Sequence, residues 1–108
     1  MRNDRLENMV KGWFIGDFSP NVHFSKDCEV AVKHYKAGDE EILHYHKVAT
    51  ELTVVVSGKV KMLGTTWVEG DIIKLDPGEK TDFFSITDSV TVVVKTPSVS
   101  GDKYEVKD

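Results

Sequence analysis

The 108-residue chain contains one cysteine, Cys28, and only three prolines. A single cysteine excludes an intramolecular disulfide, so burial and hydrogen bonding must hold the fold together. No apolar run approaches the roughly 18 residues that cross a bilayer, and the N-terminal residues lack the apolar core of a signal peptide. We therefore expect a cytoplasmic protein that does not use a membrane as a partner.

Positive charge is also in short supply. The chain has 14 Lys and Arg against 18 Asp and Glu, a net charge of −4, and no long basic block stands out. Nucleic-acid binding depends on clustered positive charge, so we expect no nucleic-acid partner. The length suits one hydrophobic core, which predicts a single domain over residues 1–108.

What the chain does have, from Trp13 onward, is a series of short apolar runs separated by turn residues. This pattern is typical of an all-β sandwich or barrel. The dipeptide Ser57-Gly58 is predicted to join its two flanking strands as a hairpin. Residues 1–10 weakly favour a short helical turn. The predicted strands cover residues 12–18, 29–36, 42–46, 51–56, 59–63, 72–75, 81–86 and 90–96.

The most informative segment runs from Gly38 to Gly58 and reads G-DEEIL-HYH-KVAT-E-LTVVVS-G. His44 and His46 are two residues apart, and alternate residues of a β-strand point to the same face. Glu51 opens the next apolar run and can bring a carboxylate to the same place. Two imidazoles and a carboxylate suit one divalent transition metal, such as Fe, Mn, Ni or Zn, and leave positions open for water or substrate.

This segment matches the first signature of the cupin superfamily, G-x5-H-x-H-x3–4-E-x6-G, at every specified position. A looser match to the second signature, G-x5-P-x-G-x2-H-x3-N, begins at Gly70, and Gly78 agrees with it. Three positions depart from that pattern: Asp76 stands for Pro, Thr81 for the fourth ligand His, and Ser85 for Asn. The chain thus resembles a small single-domain cupin over roughly residues 28–96.

The resemblance implies an all-β double-stranded β-helix, a jelly-roll barrel, with an N-terminal arm at 1–20 and a tail at 97–108. In that tail, Tyr104 and Val106 are candidate anchors to the barrel wall or to a partner. The resemblance also implies a metal site in which Thr81 replaces the fourth ligand. Its hydroxyl is predicted to orient a metal-bound water or the substrate. Asp82 would reach the metal only after a register slip or a bulge.

Several other side chains are candidates for the wall of the site. Alternation lets only one of His34 and Tyr35 face the interior, and Tyr35 is a candidate hydrogen-bonding partner for the substrate. Phe83, or its neighbour Phe84, is predicted to form an apolar wall. Lys61 is a weaker candidate for binding a carboxylate or phosphate, since a solvated lysine is the better interpretation.

Two of the predicted strands are apolar on both faces. If Glu51 points inward, Thr53 and Val55 do so too, which leaves Leu52 and Val54 facing outward. An apolar outer wall needs a cover. We therefore expect a homodimer formed by sheet packing, and the alternative cover is the N-terminal segment.

Cupins similar to this chain include sugar and sugar-phosphate isomerases, dioxygenases and decarboxylases. The expected function is metal-dependent isomerase- or oxygenase-type chemistry on a small oxygenated ligand, such as a sugar or keto acid. Two alternatives stay open. One is a non-catalytic small-molecule-binding cupin. The other is a metal-free nucleotide-sugar ketoisomerase or epimerase in which His44 and His46 act as acid and base, although Glu51 at ligand spacing argues against it. Fold alone does not choose among these, or establish that the protein is an enzyme.

Overall fold

Short strands in two sheets make up most of the fold. The structure is a computed structural model that describes residues 1–107. Its strands are β1 Trp13–Gly16, β2 His23–Phe24, β3 Glu29–Tyr35, β4 Glu40–Tyr45, β5 Thr50–Ser57, β6 Lys59–Met62, β7 Thr65–Val68, β8 Ile72–Leu75, β9 Thr81–Ser85, β10 Ser89–Thr96 and β11 Tyr104–Glu105. A short 3-10 helix at Leu6–Asn8 precedes them.

The larger sheet has the order β2-β1-β3-β10-β5-β8, and the smaller sheet has the order β11-β4-β9-β6-β7. Non-sequential neighbours, such as β10 between β3 and β5, show that the chain crosses repeatedly from one sheet to the other. This arrangement confirms the predicted all-β double-stranded β-helix. Within residues 1–107, no helix has the length and apolar character needed to cross a membrane.

The strand β5 shows how alternation builds the interior. Glu51, Thr53 and Val55 are only 9%, 4% and 0% exposed, whereas Leu52 and Val54 between them are half-buried on the outer face. The predicted facing of this strand is therefore confirmed. Because the larger sheet buries one side of β5, the period of two decides which of its side chains can reach a ligand.

The predicted hairpin at Ser57-Gly58 is wrong. β5 belongs to the larger sheet and β6 to the smaller one, so this dipeptide carries the chain between sheets. Gly58 has a φ of 84°, and a Cβ there would lie 2.3 Å from the carbonyl oxygen of Asp88. The hairpin lies one strand later, between β6 and β7. There Leu63 and Gly64 have φ values of 48° and 77°, as a tight two-residue turn requires.

The C-terminal tail is part of the barrel wall. β11 pairs with β4, placing Tyr104 opposite Tyr45 and Glu105 opposite His44. The rings of Tyr104 and Tyr45 stack with centroids 5.5 Å apart, and the amide of Val106 donates to the carbonyl of Leu43 at 2.9 Å. Tyr104 and Val106 thus anchor the tail to the barrel wall, one of the two predicted options. The last residue of the predicted tail, Asp108, lies outside the described residues.

The apolar core occupies only part of the barrel interior. Its buried members are Val55, Val60, Met62, Leu75 and Phe83, and Tyr35, Trp67 and Ile73 pack against them. Full burial of a side chain of this size stabilises the fold by about 1.5–3 kcal/mol. The rest of the interior is lined by polar and charged groups, and the candidate site lies there.

Candidate functional site

A cavity of about 190 Å³ lies between the sheets. All the predicted site residues line it: His44, His46, Glu51, Thr81, Tyr35 and Phe83. The other residues around it are Lys11, Trp13, Lys33, Glu41, Thr53, Met62, Thr91, Val93, Lys95 and Lys103. The sequence prediction thus names six of the residues around one cavity and misses several charged ones.

The two histidines enter the cavity from β4 and from the residue just after it. His44 and His46 are 5% and 4% exposed, and their ring centroids are 5.7 Å apart at an interplanar angle of 82°. A register shift between Glu41 and His44 interrupts the pairing of β4 with β9. Such a bulge changes the alternation of side chains along a strand. It allows Glu41 to line the same cavity as His44, although the two are three positions apart.

His44 is held in one tautomer. Its Nδ1 lies 2.8 Å from the carbonyl oxygen of Ile42. A carbonyl only accepts hydrogen bonds, so Nδ1 is the donor, and in the neutral imidazole the lone pair is on Nε2. A backbone carbonyl on one ring nitrogen commonly prepares the other nitrogen to bind a metal.

His46 carries a buried nitrogen without a partner. Its Nε2 makes no hydrogen bond within residues 1–107. Burial, followed by the positive charge of Lys95, lowers the pKa of His46 to about 4. The imidazole is therefore neutral at physiological pH, the form that ligates metals. An unmet hydrogen-bonding group in a buried place is costly, so this nitrogen is suited to a ligand.

Glu51 is a buried carboxylate at the start of β5. Its neighbours across the sheet are Lys95 and Leu75, but the Nζ atom of Lys95 pairs with Glu29 at 3.6 Å. None of the ion pairs and side-chain hydrogen bonds found within residues 1–107 involves the Glu51 carboxylate. Burial raises the pKa of Glu51, and the positive charge of Lys95 opposes that shift. A cation beside this group would favour its charged form.

The chemistry of the three donors fits a divalent ion. His44 offers a lone pair on Nε2, His46 an unpartnered nitrogen, and Glu51 an unpaired carboxylate. They are not gathered around one point, since no group of three or more His, Cys, Asp and Glu in the described residues is arranged to hold a metal ion. Binding an ion would require these side chains to turn toward one another.

Thr81 stands beside the histidines on the neighbouring strand. It is 3% exposed and pairs with His44 across β4 and β9. Its hydroxyl donates to the carbonyl of Asp82 at 2.7 Å, so its oxygen can still accept a hydrogen bond. The Asp82 carboxylate instead accepts from the amide of Leu63 at 2.8 Å. Asp82 therefore faces away from the cavity, as alternation predicts.

Tyr35 faces the interior, whereas His34 is exposed. The Tyr35 hydroxyl donates to Glu41 at 3.1 Å, and its ring lies 4.4 Å from that of Phe83. Burial and the negative charge of Glu41 raise the pKa of Tyr35 above its ordinary value. The phenol therefore stays protonated. Phe83 forms the apolar wall, and Phe84 is 40% exposed on the other face.

Glu41 is a cavity residue that sequence reasoning missed. Besides the bond from Tyr35, its carboxylate accepts one from the Nζ atom of Lys103 at 2.9 Å. Burial alone would raise the pKa of Glu41, but the hydrogen bond and charge of Lys103, with help from Lys33, lower it overall. Glu41 is therefore ionised. Strict alternation from His44 would place it outside, so only the bulge in β4 explains its position.

Asp102 is a second missed residue, and it holds the loop that joins the candidate ligands. Its carboxylate accepts hydrogen bonds from the amides of Lys47 at 2.9 Å, Val48 at 3.1 Å and Ala49 at 2.9 Å. Successive amides around one anion form a nest. Burial opposes ionisation, but these bonds lower the pKa of Asp102 overall. No local sequence signal marks this contact, because the partners are more than 50 positions apart.

Lys61, which we weighed as an anion ligand, is exposed and lies outside the cavity. Trp13 on β1 also lines the cavity. Two ammonium groups make cation–π contacts with its ring: Lys33 Nζ lies 5.1 Å and Lys95 Nζ 5.0 Å from the ring centroid. Lys33 on β3 and Lys95 on β10 therefore both line the cavity beside Trp13.

No family model matches the sequence, and no curated protein matches it. Solved structures do match. An uncharacterized conserved protein with a double-stranded beta-helix domain from Klebsiella pneumoniae is 24% identical, covers 78% of this chain and 74% of its own, and has a TM-score of 0.70. A sugar phosphate isomerase from a cupin superfamily, from Silicibacter pomeroyi, is 22% identical over 65% of this chain and 50% of its own, with a TM-score of 0.61. This chain has the cupin fold.

A further cupin-fold match is an enzyme with a different reaction. The DMSP lyase DddQ from Ruegeria pomeroyi is 18% identical, covers 87% of this chain and 49% of its own, and has a TM-score of 0.71. This chain thus spans about half the length of that lyase and of the isomerase. At these identities the likeness establishes the fold of this chain. It does not establish which reaction, if any, the cavity supports.

Proposed function

We propose that this cupin binds one divalent transition metal on His44, His46 and Glu51 and acts on a small oxygenated molecule, such as a sugar or keto acid. The reaction would be of the isomerase or oxygenase type. The observation that carries the proposal is the set of buried donors without partners, the Nε2 atom of His46 above all. Solved structures of the same fold that are named as a sugar phosphate isomerase and a lyase support it.

A bound divalent ion would supply Lewis acidity at a carbonyl or enediolate oxygen. The protein's own groups would orient and enclose the substrate. The Ile42 carbonyl keeps the lone pair of His44 on Nε2, and the Thr81 oxygen can accept a hydrogen bond from a substrate hydroxyl. The protonated Tyr35 can share its hydrogen bond between Glu41 and the substrate. Phe83 closes one side of the cavity with an apolar ring.

Metal analysis of tag-free protein tests the proposal. We expect one equivalent of metal per chain, as purified or after reconstitution with Fe, Mn, Ni or Zn, measured by inductively coupled plasma spectrometry. His44→Ala and Glu51→Gln should lose it. His34→Ala is the matched control, because His34 is an exposed histidine on β3. Wild-type protein that stays metal-free after reconstitution would refute the metal site.

A metal-free reaction on the same histidines is the second candidate. The spacing of the three donors, which are not gathered around one point, supports it, as does the neutral, unpartnered His46. In this case His44 and His46 would act as acid and base on a sugar attached to a nucleotide. Thermal-shift screening of nucleotide sugars with a chelator present separates the candidates. Stabilisation that survives in Glu51→Gln and disappears in His44→Gln favours the metal-free reaction.

We also propose that the cupin forms a homodimer through the outer face of the larger sheet. Val92 at the centre of that face pairs with Val32 on one side and Val54 on the other, and all three are half-buried. The N-terminal segment, the alternative cover, lines a groove beside Val32. Light scattering after size exclusion should report a dimer for wild type and for Val68→Lys on β7, and a monomer for Val92→Lys.

A further inference from the structure

The charges around the cavity are opposite in sign to those of the whole chain. Four lysines line it, against the two carboxylates of Glu41 and Glu51, although the protein carries a net charge of −4. A cavity lined by an excess of one sign concentrates ligands of the other sign. The local surplus is therefore positive even before any metal ion is added.

Two of these four lysines already have partners, whereas Lys33 and the exposed Lys11 have none within residues 1–107. Lys95 pairs with Glu29 at 3.6 Å, and Lys103 pairs with Glu41 at 2.9 Å. Within residues 1–107, no ion pair or side-chain hydrogen bond involves Lys33. Its Nζ atom lies 5.1 Å from the centroid of the Trp13 ring, which stabilises an ammonium group while leaving its N–H donors free.

A second unused group lies directly across the sheet from Lys33. The register of β3 and β10 pairs Lys33 with Thr91. Thr91 is 1% exposed and lines the same cavity, yet its Oγ1 atom makes no hydrogen bond among the described residues. A buried hydroxyl without a partner is uncommon in folded proteins. Cross-strand neighbours on one face are close enough to contact one ligand.

We propose that Lys33 and Thr91 form a subsite for the anionic group, a carboxylate or a phosphate, of a small substrate. This inference rests on the proposed function only in taking the cavity as the reaction site. The subsite is on the larger sheet, whereas His44 and Thr81 are on the smaller one. A substrate held by its anionic end on Lys33 would present its other oxygens toward the histidines.

The volume of the cavity limits the size of the substrate. A cavity of about 150 Å³ is known to hold a molecule the size of benzene, and this one measures about 190 Å³. A short hydroxy acid or keto acid fits within it, and only the terminal part of a larger phosphorylated sugar would do so. Together with the surplus of lysines around the cavity, this volume favours a small organic anion as the substrate.

Calorimetric titration with three probes tests the subsite: pyruvate, its neutral isostere pyruvamide, and inorganic phosphate. Wild type should bind pyruvate or phosphate at least about tenfold more tightly than pyruvamide, since hydrogen bonds to charged groups contribute on that scale. Whichever anion binds more tightly identifies the group as carboxylate or phosphate. Lys33→Met, which keeps an unbranched apolar stem against Trp13, should lose the preference for the anion.

Two further variants control the titration. Thr91→Val removes the hydroxyl at nearly constant volume, so it should fold normally and weaken anion binding severalfold. Lys61→Met removes an exposed lysine outside the cavity and should bind like wild type. Equal affinity for pyruvate and pyruvamide in wild type, equal behaviour of the two lysine variants, or no binding of either anion overturns the subsite.

The titrations are run on metal-free protein and again after addition of Mn²⁺. A preference for the anion in metal-free protein that depends on Lys33 supports the subsite even where metal analysis refutes the metal centre. Stoichiometric metal without any dependence on Lys33 supports the metal centre and overturns the subsite. The experiments can therefore refute the anion subsite and the metal centre independently of each other.

Discussion

The apolar part and the polar part of the barrel interior differ in how far their side chains are satisfied by neighbouring residues. In the apolar part, Val55 and Val60 are fully buried and Phe83 is 5% exposed, and each packs against the others. In the polar part, His46 and Thr91 carry buried atoms without partners. The first part is held together by apolar packing, although the Nε1 atom of Trp67 at its margin also lacks a partner among the described residues. The second part lines a cavity, where a ligand could meet the hydrogen-bonding capacity of such groups. The difference identifies which part stabilises the fold and which part is available for function.

The largest effect on stability should come from the apolar part. Phe83→Ala is expected to lower the free energy of unfolding by about 3–5 kcal/mol, because it removes a buried ring and leaves a cavity. Urea denaturation of metal-free protein measures the change. Phe84→Ala is the control, since its neighbouring ring is 40% exposed on the other face. Equal losses in the two variants would contradict the division of the interior.

Asp102 should give the next largest effect, although it lies at the edge of the polar part. Asp102→Ala leaves the amides of Lys47, Val48 and Ala49 without their acceptor and should lower the free energy of unfolding by about 2–3 kcal/mol. Glu105→Ala, an exposed carboxylate three positions along the tail, should change it little. Faster amide exchange confined to residues 47–49 would locate the damage.

The contribution of Asp102 should also depend on pH. Its pKa in the folded protein lies below its unfolded value of 3.8, chiefly because backbone hydrogen bonds outweigh burial. A lowered acid pKa adds stability above the unfolded value, and that stability is lost as pH falls through the folded value. The stability difference between wild type and Asp102→Asn should therefore be constant near neutrality and shrink below about pH 4. A difference that grows on acidification would contradict the assignment.

Thr81→His sharpens the comparison by adding a ligand to the polar part. The larger side chain at a position only 3% exposed should lower stability of metal-free protein by about 1–3 kcal/mol. It also supplies a third imidazole beside His44, so affinity for Mn²⁺ or Zn²⁺ should rise at least about tenfold. Competition with a chelator measures that affinity. Lower metal affinity would show that Thr81 does not occupy the place of a ligand.

The smallest change in stability is expected at Glu51. Replacing this buried, unpaired carboxylate by Gln should raise the stability of metal-free protein slightly, by less than about 1 kcal/mol. The same change should reverse sign when metal is present, because the ion then loses a ligand. Thermal unfolding with and without Mn²⁺ measures both. A large loss in metal-free protein would mean that Glu51 serves the fold itself.

Much of the fold follows from local patterns. The alternation around Glu51 predicts the inward face of β5, and the spacing of His44 and His46 predicts that both line one cavity. Both depend on neighbours within one strand, where the period of two is reliable. The Ser57-Gly58 dipeptide shows the limit of such reasoning. A short turn between apolar runs looks the same whether it joins paired strands or carries the chain across to another sheet.

The missed parts depend on contacts between distant segments. The strand β7 is half polar and mostly exposed, so it lacks the apolar alternation that would have predicted it. Glu41 lines the cavity because of a bulge in β4, and no residue of β4 is a sequence signal for that bulge. Lys33 shares the inner face of β3 with Tyr35, and strict alternation from Tyr35 would have found it. Metal binding, the anion subsite and the dimer stay predictions.

The nest around Asp102 shows that the candidate site depends on a residue outside both signature segments. Both signature segments end well before residue 102, yet the loop between His46 and Glu51 is held by that residue. During synthesis the loop would have its clamp only after Asp102 emerged from the ribosome. A fragment cut after β10 would keep every motif residue while leaving this loop free to move. The signature alone is therefore a poor guide to where this chain can be truncated or tagged.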